Sequence, residues 1–134
     1  MAPRLAAAFG TDRERFSSAQ EMQQYSGIAP VLKRSGKSCS VTRRLACPKF
    51  LHQTFHEYAD HSRKQSAWAA AYYRMLKGRG MRHHCALRSL AFKWQRIMHR
   101  CWQTRTPYDE ARHLRELRLR QSPLLAYLPQ SNHA

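Results

Sequence analysis

Apolar residues recur at threes and fours along most of this chain, and the period lapses only between Ile28 and Arg44. Ala2 to Phe9 spells a short helical stretch that Gly10 stops. Ser18-Ala-Gln-Glu21 is a capping box, and the helix it opens runs through Met22 and Tyr25 to Gly27, a residue type suited to the position just past a helix end. From Ile28 to Arg44 come Pro30, then Val31-Leu32, the polar K-R-S-G-K-S tip, and Val41-Thr42 with Arg43 and Arg44. Two brief extended arms around a Ser-Gly turn are the simplest arrangement.

The helical period returns at Pro48, with Leu51, Phe55, Tyr58 and Ala59 on one face. Ser66 caps a further predicted helix that carries Trp68, Ala71, Tyr72, Met75 and Leu76 before Gly78 and Gly80 end it. The strongest stripe follows: Leu87, Leu90, Ala91, Trp94, Ile97, Met98, Cys101 and Trp102, with Arg82, Arg88, Lys93, Arg96 and Arg100 on the other faces. Thr106-Pro107 restarts a polar helix spelling R-H-L-R-E-L-R-L-R, and residues 121–134 read as tail. The fold class is mainly α, with a short β-hairpin or extended loop around residues 29–44, then a bundle of three to four helices, as one domain over 1–120. Trp68, Tyr72, Trp94 and Trp102 sit at core spacing, which favours packing over base stacking for these aromatics.

Charge changes the picture next. The 134 residues carry 24 Lys and Arg against 8 Asp and Glu, a formal charge of +16. The cations run from Arg4 to Arg120 rather than filling one tail. Such a field selects a polyanion as partner and repels a second copy of the chain. For each arginine taken singly, a solvated helix face remains the simpler reading, and only the excess over acids raises nucleic acid above it. No apolar run nears the ~18 residues that span a bilayer, so a soluble cytoplasmic protein without membrane association is expected. Cys39, Cys47, Cys85 and Cys101 form no C-x-x-C pair, which predicts free thiols. His52 and His56 lie four apart with Glu57 and Asp60 nearby, a candidate metal pair that two histidines do not complete; no metal site is assigned.

The segment K-R-S-G-K-S-C-S, Lys33 to Ser40, poses the chemical question. Gly36-Lys37-Ser38 matches the end of a phosphate-binding P-loop, but that loop needs a glycine where Val31 stands and an apolar helix after Ser38. A serine nucleophile is the other option, and it needs activation. Lys33, Arg34, Lys37, Arg43 and Arg44 would clamp a phosphodiester and neutralise transition-state charge, while Gly36 allows close backbone approach. The acids, Asp12, Glu14, Glu21, Glu57, Asp60, Asp109, Glu110 and Glu116, are spaced as scattered surface charges. On composition alone the chain is not a complete phosphoryl-transfer enzyme.

A longer pattern joins these pieces. A-x-F-G-T-D-R-E-R-F, Q-x-Y-S-G-I-A-P-V, R-S-G-K-S, R-R-L-A-C-P-K-F-L-H-Q-T-F-H-E and H-H-C-A-L-R-S-L-A-F-K-W-Q-R-I, in that order, resemble the C-terminal domain of the IS110/IS116/IS902 insertion-sequence transposases, the bridge-RNA-guided recombinases. The resemblance covers Ala2 to about Glu110. It implies a two-part enzyme: an RNase H-like domain whose DEDD acids bind magnesium, and this domain, which supplies a serine that links covalently to DNA. Residue by residue, the serine before glycine maps to Ser35, with Ser38 as the alternative, and Lys33, Arg34, Lys37, Arg43, Arg44 and Lys49 as nucleic-acid contacts.

The family pattern opens with a helix-hairpin-helix entry that this chain carries only in truncated form, which leaves Leu5 and Phe9 with less to pack against. Leu45 to His52, L-A-C-P-K-F-L-H, stands where the commoner form has K-R-G-N-x-x-L-R, so His52 replaces an arginine. DNA, a guide RNA and intact transposase protomers are the implied partners, in a bacterial cytoplasm at the nucleoid. Magnesium is expected only through the acidic domain. The expected function is that of a DNA-binding transposase fragment, inactive by itself; the alternative is a stand-alone basic helical module that binds nucleic acid without catalysis.

Overall fold

The computed structural model describes residues 2–10, 15–29, 31–35, 38–42 and 47–128. Six helices and one hairpin follow in order: α1 (Ala2–Phe9), α2 (Ala19–Tyr25), β1 (Val31–Ser35), β2 (Ser38–Thr42), α3 (Lys49–Ser62), α4 (Ala67–Gly78), α5 (His83–Thr104) and α6 (Glu110–Leu119). A 3-10 helix, Pro123–Tyr127, comes last. The mainly helical expectation holds, and within the segment expected as a hairpin or extended loop Val31–Ser35 and Ser38–Thr42 pair antiparallel.

Local chemistry explains the boundaries. Ser18 accepts the Glu21 amide at 3.2 Å, and the Glu21 carboxylate returns to the Ser17 amide at 2.9 Å, one residue earlier than a standard capping box. Gly10, Gly27 and Gly80 adopt positive φ after α1, α2 and α4, where a side chain would be strained. Ser66 caps α4 as expected, accepting the Ala69 amide at 3.4 Å. The restart at Thr106-Pro107 comes later than the sequence suggests. Helix α6 begins at Glu110, because Asp109 caps the Arg112 amide at 3.2 Å while Thr106 hydrogen-bonds Thr104 through its side chain at 2.6 Å.

Helix α5 is the axis of the bundle, with α2, α3 and α4 packed on it, α1 on α3, and the 3-10 helix on α4. Its stripe buries Leu87, Leu90, Ala91 and Trp94, and the neighbouring helices add Phe55, Ala59, Trp68 and Ala71 to the core that Leu90, Ala91 and Trp94 share. Burying each large apolar side chain contributes on the order of 1.5–3 kcal/mol. Trp68 and Trp94 meet with ring centroids 4.7 Å apart, so these tryptophans are core residues. Phe9 is also better packed than its place in the sequence suggested, lying against Phe55 and Trp102 with centroids 6.0 and 5.4 Å away. Part of the segment expected as tail docks: Leu124 is buried and Arg74 donates to the Tyr127 carbonyl at 2.6 Å. Cys47, Cys85 and Cys101 are free thiols. Among the described residues, no helix is long and apolar enough to cross a membrane.

Candidate nucleic-acid interface

The hairpin's register is Val31 with Thr42, Leu32 with Val41, Lys33 with Ser40, Arg34 with Cys39 and Ser35 with Ser38. The two candidate nucleophiles are therefore the closing pair, directly opposite one another, with Lys33 and Arg34 immediately before Ser35 in the same arm. Lys37, Arg43 and Arg44 lie outside the described residues. Lys49 is the first residue of α3 and is exposed.

The seat of the hairpin is more specific than the sequence suggested. Ser26, just past α2, is buried, and its hydroxyl donates to the Gln23 carbonyl at 3.2 Å while accepting from Gln95 Nε2 at 2.8 Å. Gln23 reaches across to the Phe92 carbonyl at 2.7 Å, and the Ala29 amide returns to the Gln23 carbonyl at 2.9 Å. These bonds tie the chain to α5 two residues before β1, with Ile28 and Ala29 buried behind them. Gly27 has φ +78°, and a Cβ there would come within 2.5 Å of Cys47 Sγ, so the outgoing and returning strands of chain cross at a point where only glycine fits. A glutamine inside the apolar stripe of α5 was the one available sign of this seat, since buried amides need partners.

His52 lies under the same crossing, its Nδ1 3.4 Å from where a Gly27 Cβ would stand. Its ring stacks on His56 (centroids 6.1 Å, 16° between planes), and His56 stacks on His84 at the start of α5 (5.5 Å, 26°). His84 Nδ1 and His56 Nε2 are 3.4 Å apart. Burial, first, and then His52, His84 and Arg88 lower the His56 pKa, against a smaller upward pull from Asp60. Among the described residues no group of three His, Cys, Asp or Glu could hold a metal ion.

The carboxylates of the described residues are engaged elsewhere. Glu57 pairs with Arg4 and accepts from Gln53, and Asp60 pairs with Arg63. Glu110 accepts from Ser66 at 2.9 Å and Tyr108 at 2.7 Å, and Glu116 lies between Arg112 and Arg120. These acids hold helices together or serve cations one or two turns away, and they do not fit a magnesium centre.

A mainly helical, strongly basic chain presenting a hydroxyl-bearing hairpin is what the geometry defines. Residues 1–74 match the model of the family described as Transposase IS116/IS110/IS902. The chain is also 34% identical over 109 residues, 81% of its length, to the "Mini-circle putative transposase for IS117" of Streptomyces coelicolor. It belongs to the IS116/IS110/IS902 transposase family. The match spans about a quarter, 26%, of that curated relative.

Proposed function

We propose that this chain serves DNA transposition or recombination, with the β1–β2 hairpin as its reactive edge and Ser35 as the nucleophile. The observation that carries the reading is the register: Ser35 and Ser38 pair at the closing end of a hairpin whose own arm supplies Lys33 and Arg34. Family membership supports a role in transposition. In the step itself, the Ser35 hydroxyl gives its proton to a base, forms an oxygen–phosphorus bond, and releases a deoxyribose hydroxyl that takes up a proton. Lys33, Arg34, Lys37, Arg43, Arg44 and Lys49 hold the phosphates and offset the charge that builds on the transferring group. DNA is the substrate in this reading, with a guide RNA and transposase protomers as further partners. The acidic, magnesium-binding part of the reaction belongs to a longer family protein.

Two measurements test it. DNA affinity should fall steeply as salt rises, because phosphate contacts release counterions; affinity indifferent to salt overturns the binding part. Supplied with a homologous N-terminal RNase H-like domain, the chain should form a covalent DNA adduct that Ser35→Ala abolishes and Ser38→Ala only weakens. The reverse pattern assigns the nucleophile to Ser38. Binding without any adduct favours the stand-alone binding module.

A further inference from the structure

The hairpin does not account for most of this chain's cations. Helix α6 turns Leu114 and Leu117 toward the core, where both pack against buried residues, and leaves Arg112, Arg115 and Arg118 exposed on the opposite side. On a helical wheel these three arginines fall within one third of the circumference. Leu119, 84% exposed, lies on the same arc. At the edge of this face Arg120 comes within electrostatic reach of Lys93 of α5. The Lys93 ammonium sits 4.5 Å from the centre of the Tyr72 ring. Burial, and after it Arg96 and Arg120, pulls the Lys93 pKa down.

The acids on this side are committed. Asp109 caps α6, Glu110 is held by Ser66 and Tyr108, and Glu116 is shared by Arg112 at 3.5 Å and Arg120 at 3.9 Å. Among the described residues, Arg115, Arg118 and Arg96 have no carboxylate partner. The helix that carries them is also held in place. Trp68 Nε1 donates to Tyr108 at 2.7 Å, Tyr108 to Glu110 at 2.7 Å, and Ser66 to Glu110 at 2.9 Å, fixing the first turn of α6 on the core. Like charges collected on a fixed scaffold cost free energy in the isolated protein, and that cost is relieved when a polyanion arrives.

We propose that the exposed arginine face of α6 is a second nucleic-acid contact surface, separate from the hairpin, that engages the phosphates of duplex DNA. It lies beyond residues 1–74, where the family model matches. The inference rests on the DNA-binding reading above and adds a second point of attachment to it. Duplex DNA is the partner because a helix about 10–12 Å across with its side chains fits a B-form major groove about 12 Å wide. The deep, narrow A-form major groove does not admit a helix. Two separated anchors would hold a DNA segment in a fixed orientation across the bundle, as phosphate contacts do elsewhere.

The test is equilibrium binding of the full chain to a labelled DNA duplex across a salt series. Four proteins are compared: the parent chain, Arg115→Gln with Arg118→Gln, the charge-keeping pair Arg115→Lys with Arg118→Lys, and a control pair, Lys77→Gln with Arg82→Gln. The control sits at the α4–α5 turn and removes the same charge. The first pair should reduce the log–log salt slope by about 1.8, two contacts at about 0.9 each, and weaken low-salt binding roughly tenfold. The lysine pair should keep the parent slope, and the control pair should lose less than half as much. Equal losses in the α6 and control pairs overturn the inference while leaving the DNA-binding reading intact. A parent chain that fails to bind at low salt overturns both. An equal or larger loss on an A-form RNA duplex overturns the assignment to DNA. Unchanged circular dichroism accompanies the expected result, since both arginines are exposed and unpaired.

Discussion

Gln95 Nε2 donates to Ser26 Oγ at 2.8 Å, a buried bond that fastens the exit from α2 to the middle of α5. Gln95→Ala should cost about 1–3 kcal/mol, the range for leaving a buried polar partner unmet. The loss should be local as well as global. Amide exchange at Ile28 and Ala29 should speed up before that of α4, and equal protection across the two would rule out a dedicated seat.

Gly27 makes a sharper case. Its φ of +78° costs an L-residue about 1–2 kcal/mol, and a Cβ would meet Cys47 Sγ at 2.5 Å and Cys47 Cβ at 2.7 Å. Gly27→Ala should therefore destabilise by more than the conformational term alone. Adding Cys47→Gly should recover the contact part and leave the φ part. Chemical denaturation of both variants separates the two, and no recovery in the double variant refutes the crossing geometry.

Trp94 packs on Trp68 and donates from Nε1 to Ser62 Oγ at 2.9 Å. Trp94→Ala should cost about 3–5 kcal/mol as a large-to-small change in the core. Trp94→Phe should cost less, because the ring volume is largely kept and only the Ser62 partner is lost. Thermal melts that rank the two the other way would contradict the packing assignment.

Tyr108 tests the anchor of α6. Burial, then the hydrogen bond and charge of Glu110, raises the Tyr108 phenol pKa well above its ordinary value of 10.0. An unfolded chain ionises this group first, so the stability it contributes is present below pH 10 and is lost as pH rises beyond it. Tyr108→Phe should cost about 1–3 kcal/mol at neutral pH and loosen amide protection in Arg112–Leu119. Protection unchanged in α6 would show that the helix is held by its leucines alone.

His56 supplies a pH effect of the opposite sense. Its folded pKa lies below the ordinary 6.5, so below that value the unfolded chain binds a proton the folded chain resists. Stability is then lost as pH falls from 6.5 through the folded value. His56→Gln should narrow the difference in melting temperature between pH 7.5 and pH 5. A difference of parent size would remove His56 as a cause and leave His113, whose pKa burial also lowers, as the group to substitute next.

Legibility followed distance along the chain. Capping by Ser18 and Ser66, the glycine stops after α1, α2 and α4, and the α5 stripe are events within one or two turns, and all were readable. The start of α6 was misread because Tyr108 is drawn onto Trp68, a contact 40 residues away in sequence, and Asp109 rather than Thr106 takes the cap. The docking of Leu124 was missed for the same reason: its partners lie on α4, and a short apolar run near a chain end carries no period. For the candidate site, the sequence named Ser35, Ser38 and the cations, whereas Gln95, Ser26, Cys47 and His84 came into view only through the fold.

By itself the sequence determined the helical class, a non-helical segment open to a hairpin or an extended loop, the +16 charge and the family blocks, because propensity, capping and charge are local or additive properties. The tertiary structure alone decided that the hairpin is tied to α5 through Ser26 and Gln95, and that three histidines stack from α3 to α5. The His56–His84 contact and the Ser26–Gln95 bond join residues 28 and 69 positions apart. Only the packing of the bundle brings such residues to hydrogen-bonding distance, and no local pattern along the chain records it.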